Sequence, residues 1–190
     1  LEITKKAGLK YLYHYGKTFK SWGHFELYEG EFPNGYDGMK MCVEKAKEQG
    51  VNIGLHTLSN FINTNDPYVT PIPDKRLAKV GSSVITADLD KDQKEIFIES
   101  PDFFNQYKNN SLRTVQIGNE LIRYGKVSEK APWKLVDCQR GAFKTNIATH
   151  KKNDKISKLL DHGYKVFLSN TDLTIELSKN IAELYNKTGM

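Results

Sequence analysis

The chain has 190 residues, of which 38% are hydrophobic and 27% are charged, and its formal net charge is +5 at pH 7. This length and composition are ordinary for a globular protein with an apolar core, and they exclude an intrinsically disordered chain. The basic residues are interspersed with acidic ones, and no basic stretch is interleaved with stacking aromatic residues. We therefore predict that the chain has no nucleic-acid partner.

The two cysteines, Cys42 and Cys138, lie far apart in the chain. Their spacing gives neither a disulfide framework nor a metal-ligand pair, so we expect both to be small buried hydrophobic residues. No apolar run is long enough to cross a bilayer, and no signal-peptide pattern opens the sequence, so we predict no membrane span. Because the first residue is Leu1, we expect a processed or excised chain.

The first third of the sequence has the pattern of a strand, a helix and a second strand. Residues 1–8 are typical of a helix end closed by glycine. Residues 9–15 alternate in the manner of a strand, and residues 36–49 place apolar side chains at helical spacing. Residues 51–55 are short, apolar and β-prone. This order predicts a βαβ unit and hence a parallel sheet.

The character of the sequence changes after a proline-rich segment at residues 67–73. Short strand-like segments then follow at close intervals, and Gly118-Asn119 separates two of them by only two residues, which indicates a tight hairpin. We predict a small antiparallel β module at residues 80–158. Its strand candidates are residues 85–89, 95–99, 114–117, 120–124 and 135–138.

The end of the sequence returns to the earlier pattern. Residues 164–169 form a strand candidate, and a helix follows whose N-cap is Thr171 or Asp172 and which Gly189 closes. The predicted fold class is α/β plus all-β, with a partial (β/α) barrel segment interrupted by the small antiparallel module. The predicted domains are a barrel segment at 1–79, the inserted module at 80–158 and the continuation of the barrel segment at 159–190.

Two parts of the sequence resemble known families. The stretch EFPNGYDGMKMCVEKAKEQGVNIGLH, residues 31–56, resembles a segment of (β/α)8-barrel (TIM-barrel) glycoside hydrolases of the α-galactosidase-like kind, and residues 54–62 look like uncharacterised glycosidase-like proteins of polysaccharide-degrading bacteria. This resemblance covers residues 9–66 and 159–190. The runs QIGNELIRY and LVDCQRG, together with residues 145–150, are similar to small β modules of phage-fibre and cell-surface proteins.

The barrel resemblance implies a bacterial parent enzyme that hydrolyses glycosidic bonds in an oligo- or polysaccharide, in the periplasm or outside the cell. Such hydrolysis normally uses two carboxyl groups that flank the bond. In the related barrels these groups lie on strands later than the third. We therefore expect the catalytic carboxylates to lie outside this chain, the remainder of the parent chain to be a partner, and the fragment to be inactive alone.

The same resemblance selects candidate substrate contacts, because side chains at the carboxyl ends of barrel strands line the site. The candidates are His14, Tyr15, Trp22, His24, His56, Thr57, Asn60 and Asn170.

Each main candidate has an alternative role. The imidazole of His56 could bind a sugar hydroxyl or transfer a proton, or it could be satisfied by the backbone at a strand end. Trp22 could stack on a pyranose or pack a long loop. Asp66 precedes a proline, where a turn is the default. Arg140 and Glu120 are assigned to the fold of the module.

Other site chemistries lack their motifs. The sequence contains no Gly-rich phosphate loop, no His-x-x-x-His or Cys-x-x-Cys pair and no Gly-x-Ser-x-Gly elbow, so we predict no cofactor and no metal. The alternative function is a non-enzymatic carbohydrate-binding or surface-interaction domain in which the β module makes the contacts. An incomplete barrel would leave open sheet edges, through which copies of the chain could associate.

Overall fold

The computed structural model describes residues 1–14, 16–106 and 108–190. By its internal contacts the chain divides into two compact units. Unit 1 contains residues 1–60 and 174–190, and unit 2 contains residues 61–173. The domain boundaries predicted at 79/80 and 158/159 fall inside unit 2 of this division, and they stay predictions.

Unit 1 is a small α/β unit. Its elements are helix α1 (Glu2–Lys6), strand β1 (Tyr11–His14), helix α2 (Gly35–Glu48), strand β2 (Asn52–Leu55) and most of helix α3 (Thr171–Thr188). Strands β1 and β2 pair in parallel, with His14 opposite Leu55. The parallel pairing predicted for this segment is therefore confirmed.

Helix α2 buries one of its faces inside unit 1. Met39, Val43 and Ala46 recur at helical spacing and are all buried, and Gly50 ends the segment with a positive φ of 73°. Cys42 lies beside this face and is exposed, so the expectation that it is buried is wrong. Position on the helix, and not apolar character, therefore decides burial here: Met39, Val43 and Ala46 lie on the buried face, and Cys42 does not.

Unit 2 consists of short antiparallel strands. They form a four-stranded sheet in the order β4-β10-β6-β7 and two three-stranded sheets in the orders β11-β12-β3 and β5-β9-β8. A 3-10 helix spans Ala142–Lys144. The strands are β3 (Phe61–Asn63), β4 (Lys79–Val84), β5 (Ile96–Phe97), β6 (Thr114–Ile117), β7 (Glu120–Arg123), β8 (Lys126–Val127), β9 (Lys134–Val136), β10 (Lys155–Leu159), β11 (Asp161–His162) and β12 (Val166–Leu168).

The predicted hairpin around Gly118 is confirmed. Strands β6 and β7 pair with Ile117 opposite Glu120 and Thr114 opposite Arg123, and Gly118 adopts a φ of 56° in the turn between them. One face of this hairpin contributes to the apolar core of unit 2. That core contains Ile85, Leu89, Ile96, Ile98, Phe104, Val115, Ile117, Ile122, Tyr124, Leu135, Cys138 and Ile156.

The predicted fold class, a partial TIM-barrel segment with an inserted β module, is wrong. In the described part of the chain, parallel pairing is confined to β1 and β2. Strand β12, predicted as the next barrel strand, pairs antiparallel with both β11 and β3. The turn between β11 and β12 makes this possible, since Lys165 adopts a φ of 58° and its N–H donates to the carbonyl of His162 at 2.9 Å.

An apolar run followed by a helix indicates a strand, but it does not specify the strand's partner. Here the partners come from β3, which was not predicted, and from the short β11. None of the helices that the structure describes is both long and apolar enough to cross a lipid bilayer.

Candidate functional site

Two of the predicted sugar contacts in unit 1 lie at neighbouring strand ends. His14 is the last residue of β1, and His56 directly follows β2. The His56 ring lies edge-on to Tyr13, with 6.0 Å between the ring centroids, and His14 packs against Phe32 at 5.6 Å. The Nε2 atom of His14 is buried and finds no partner among the described residues. The sugar-binding role of both histidines stays a prediction.

His14 also lines a pocket of about 290 Å³ in unit 1. Most of the lining is apolar, so the pocket offers few hydrogen bonds to a hydroxyl-rich ligand. We interpret it as a packing gap of a small α/β unit. The lining residues are Leu12, Tyr13, His14, Glu31, Phe32, Met39, Cys42, Val43, Ile53 and Leu55.

The remaining unit 1 candidates are spread over its loops. Trp22, His24 and Thr57 are half-buried, and Asn60 is exposed. Tyr15 lies outside the described residues. The substrate contacts expected of these side chains stay predictions.

Asn170 and Asp66 lie in unit 2, where both bind the backbone. Oδ1 of Asn170 accepts a hydrogen bond from the N–H of Leu173 at 2.9 Å, which is the N-cap contact of α3. Oδ1 of Asp66 accepts from the N–H of Tyr68 at 3.0 Å, as in the turn predicted there. The structure therefore gives Asn170 a capping contact that the sequence had assigned to Thr171 or Asp172.

The largest polar opening that we describe in unit 2 lies at the open end of the β6–β7 hairpin. It has a volume of about 430 Å³ and adjoins a second space of about 420 Å³ with which it shares part of its lining. We call the two together the arginine groove. Its described lining is Phe104, Asn105, Gln106, Asn110, Ser111, Arg113, Arg123, Tyr124, Gly125, Lys126, Val127, Asp137 and Gln139.

Backbone pairing fixes the walls of the arginine groove. Arg123 pairs on one side with Thr114 in β6 and on the other side with Gln139, whose N–H donates to its carbonyl at 2.7 Å. The N–H of Tyr124 donates to the carbonyl of Arg113 at 2.9 Å. Three short segments, around residues 113, 123 and 139, are thereby held side by side.

The two groove arginines are each anchored by a backbone carbonyl. Nε of Arg123 donates to the carbonyl of Leu112 at 3.0 Å, and Nη1 of Arg113 donates to the carbonyl of Gly125. A single anchor orients a guanidinium group and leaves it further N–H donors. Both side chains can therefore present hydrogen-bond donors to a ligand.

Two residues that line the groove have a strained backbone. Arg113 and Asp137 adopt φ angles of 44° and 56°, in the left-handed region that non-glycine residues seldom occupy. A Cβ atom at Gly125 would lie only 2.8 Å from Cβ of Asp137, so the absence of a side chain there leaves room for Asp137. Such strained residues occur preferentially at functional sites.

Tyr124 supports the loop that forms one wall. Its hydroxyl donates to the carbonyl of Phe104 at 2.7 Å, and burial raises the pKa of Tyr124 to about 12. The tyrosine is therefore a neutral hydrogen-bond donor at all physiological pH values.

A buried ion pair between Lys158 and Asp161 also supports this loop. The carboxylate of Asp161 accepts hydrogen bonds from the N–H groups of Ser111 and Leu112 at 2.7 and 3.2 Å. Nζ of Lys158 lies 3.6 Å from Oδ2 of Asp161, and both side chains are fully buried. Burial lowers the pKa of Lys158 to about 8, and the charge of Asp161 opposes this shift.

A second buried network surrounds Glu120. Its carboxylate accepts hydrogen bonds from Arg140, from His150 at 2.8 Å, and from the N–H groups of Gly141 and Ala148. Burial by itself raises the pKa of Glu120, but these hydrogen bonds outweigh burial and hold the pKa at about 2. Because the charges are satisfied within the chain, we interpret this network as structural, as predicted for Glu120 and Arg140.

The arginine groove was not predicted from the sequence. The predicted hairpin indicates one feature of the groove. Pairing the strands outward from the turn at Gly118-Asn119 places Arg123 opposite Thr114 at the open end of the hairpin. Nothing in the sequence pattern shows that Asp137 and Gln139 join them. Among the residues that the structure describes, no group of three or more His, Cys, Asp or Glu side chains could hold a metal ion.

No protein-family model matches this chain. Neither a curated protein nor a solved structure matches it. The predicted resemblance to glycoside hydrolase barrels of the α-galactosidase-like kind is therefore wrong, since no match supports it and the strands that the structure describes form no barrel. It rested on a turn, a helix, a glycine and a strand in sequence, which many βα segments share. The likeness of residues 116–150 to phage-fibre and cell-surface modules has no supporting match either.

Proposed function

We propose that unit 2 is a non-catalytic binding module for oligosaccharides and that the arginine groove is its binding site. The observation that carries this proposal is the lining of the groove. Guanidinium, carboxylate and amide side chains, from Arg123, Asp137, Gln139 and Asn110, surround an open space of about 430 Å³. Planar polar groups of these kinds donate or accept hydrogen bonds in pairs, and adjacent sugar hydroxyls require such pairs.

The polarity of the groove argues against an apolar ligand. Sites for apolar molecules are lined mainly by hydrophobic and aromatic side chains with few polar groups. Here the aromatic residues of the described lining, Phe104 and Tyr124, are only 1% and 4% exposed and pack into the core. A ligand rich in hydroxyl groups fits these surroundings better.

The groove also favours binding over hydrolysis. Cleavage of a glycosidic bond normally uses two carboxyl groups on either side of the bond. Among the described residues of the arginine groove, Asp137 supplies the one carboxylate. The hydrolytic function expected from the sequence depended on the barrel resemblance, and it is the alternative interpretation, a binding module, that we carry forward.

Isothermal titration of the full chain tests this proposal. The titrants are short oligosaccharides of glucose, galactose, mannose, xylose and the common uronic acids. We expect saturable binding of at least one of them, and Asp137→Asn and Gln139→Ala should each weaken it about tenfold, because each removes hydrogen bonds made with the ligand.

Two variants serve as controls for this titration. Glu95→Gln changes an exposed carboxylate of unit 2 that pairs with Lys134 outside the groove, and His56→Ala removes a predicted contact in unit 1. Neither variant should alter binding. The proposal is overturned if none of the sugars binds, or if His56→Ala abolishes binding that the groove variants leave intact.

A further inference from the structure

We infer that the arginine groove selects acidic oligosaccharides and that Arg123 binds the carboxylate of a uronic acid unit. This inference rests on the proposed binding function and adds the class of ligand. It comes from a comparison of the arginines in the chain, of which there are four.

Two of the four arginines bind carboxylates of the chain itself. Arg76 contacts Asp74 through Nη2 at 2.7 Å and through Nε at 3.0 Å. Arg140 contacts Glu120 through Nε at 2.8 Å and through Nη2 at 2.9 Å. Both pairs have the two-point geometry in which a guanidinium group binds a carboxylate most strongly.

The other two arginines, Arg113 and Arg123, both line the arginine groove. Within the described residues, neither has a carboxylate partner, and the contacts that the structure gives them are to backbone carbonyls. Among the described residues, the two arginines that form no ion pair with a carboxylate thus lie at one open site. A ligand with anionic groups would provide partners for these two arginines.

Arg123 is the better placed of the two for a two-point contact. Its backbone is paired on both sides, and its Nε is used by the carbonyl of Leu112 at 3.0 Å. In the described chain Nη1 and Nη2 have no partner. This pair of nitrogens matches the spacing of two carboxylate oxygens, whereas the single ammonium of a lysine does not.

The charge of the groove as a whole agrees with an acidic ligand. Lys126 adds a third cation to the lining, and Asp137 is the carboxylate that opposes them. An oligosaccharide with a carboxylate on successive units would place charges near more than one of these cations. Asp137 would then accept hydrogen bonds from sugar hydroxyls.

Other anions share the chemistry that a guanidinium group recognises, which is a pair of anionic oxygens. A sulfate ester on a sugar presents such a pair, and so does a nucleic-acid phosphate. Single-stranded nucleic acids also require aromatic rings on which bases stack. Phe104 and Tyr124, the aromatic side chains of the described lining, are buried and offer no such surface. The structure therefore favours an acidic saccharide.

The test measures the affinity of the full chain for oligogalacturonic acid, oligoglucuronic acid and alginate oligomers, each beside its methyl ester. Sulfated galactan oligomers and a short single-stranded DNA are titrated in parallel. We expect at least one acidic oligomer to bind about tenfold or more tightly than its ester, since the ester loses the two-point contact. We expect its affinity to fall as salt is added.

The variants locate the contact. Arg123→Gln should remove the preference for acid over ester, and Arg123→Lys should restore it only in part because an ammonium group cannot make the two-point contact. Arg113→Gln gives a second, independent variant. Lys151→Gln is the matched control, because it removes an exposed cation that pairs with Asp88 away from the groove. Circular dichroism and thermal melting check that each variant is folded.

Each outcome has one meaning. A preference for acid over ester that Arg123→Gln removes supports the inference. Binding of the sulfated oligomers alone, with the same arginine dependence, overturns the assignment of Arg123 to a uronic acid carboxylate. Equal affinity for acid and ester overturns the inference and leaves the binding function standing. DNA binding as tight as that of the acidic oligomers also overturns it. If no saccharide binds, the proposed function itself fails.

Discussion

Glu120 and Arg140 form a two-point ion pair inside unit 2, with 2.8 Å from Nε to Oε1 and 2.9 Å from Nη2 to Oε2. The two side chains are 0% and 5% exposed. Nη2 of Arg140 also donates to the carbonyl of Ala148 at 2.6 Å, and Nη1 donates to the carbonyl of Asp90. The pair therefore joins the β6–β7 hairpin to two loops that come before and after it in the chain.

The first prediction concerns the loss of Glu120. Glu120→Ala should lower the free energy of unfolding by about 3–5 kcal/mol, because it leaves the buried guanidinium of Arg140 without its carboxylate. Chemical denaturation measures this change. Glu95→Ala removes a carboxylate from the exposed pair with Lys134, and it should cost about 1 kcal/mol or less. Similar losses in the two variants would contradict the structural role that we assign to Glu120.

The second prediction concerns acid. The hydrogen bonds to Glu120 hold its pKa at about 2, below the ordinary value of 4.5. Between these values the unfolded chain binds more protons at this position than the folded chain, so the contribution of Glu120 to stability falls as the pH falls. It is complete above pH 4.5 and is lost as the pH approaches 2.

Denaturation of the wild type and of Glu120→Gln as a function of pH measures this contribution. The difference in unfolding free energy between the two proteins should shrink steadily on acidification below pH 4.5. The contributions of the other carboxylates cancel in this difference, because they titrate in both proteins. A difference that stays constant over this range would show that Glu120 has no depressed pKa.

The third prediction concerns the buried lysine in β10. Burial lowers the pKa of Lys158 from 10.5 to about 8, so between these values the unfolded chain binds more protons at this position than the folded chain. The stability of the wild type should therefore rise relative to Lys158→Met as the pH increases from 8 to 10.5. Urea denaturation at several pH values measures the difference. A difference that does not change with pH would contradict the prediction.

The fourth prediction concerns the start of α3. Asn170→Ala should lower the free energy of unfolding by about 1 kcal/mol, because it removes the hydrogen bond that caps the N–H of Leu173. Thr171→Ala, at the position that the sequence favoured, should change stability by no more than about 0.5 kcal/mol. Thermal or chemical unfolding of the two variants distinguishes the two capping assignments. A larger loss in Thr171→Ala would contradict the capping role of Asn170.

Local features of the fold could be predicted from the sequence, but the partners of the strands could not. The helical spacing of Met39, Val43 and Ala46 predicted α2, and Gly118-Asn119 predicted the hairpin. Strand β10 was missed because Lys158 occupies a buried position, which breaks the alternation typical of a half-buried strand. Strand β12 was predicted, but its apolar side chains suit an antiparallel neighbour as well as a parallel one.

The candidate site was harder to predict than the fold. Its arginines and Asp137 come from turns and strand ends between residues 110 and 139, and no spacing rule joins them. The barrel rule selected strand-end residues instead, and among them His14 and His56 do lie at neighbouring ends of a parallel pair. What the rule could not supply is the strand register that brings Gln139 beside Arg123.

The network around Glu120 also has a consequence for the order in which unit 2 folds. Arg140 lies 20 residues from Glu120 and 50 residues from Asp90 in the chain, so its contacts close long loops. The entropy of loop closure delays such contacts relative to the local β6–β7 hairpin. Interactions that form after the rate-limiting step slow unfolding more than they speed folding. We therefore expect the contacts of Arg140 to act mainly on the rate at which unit 2 unfolds.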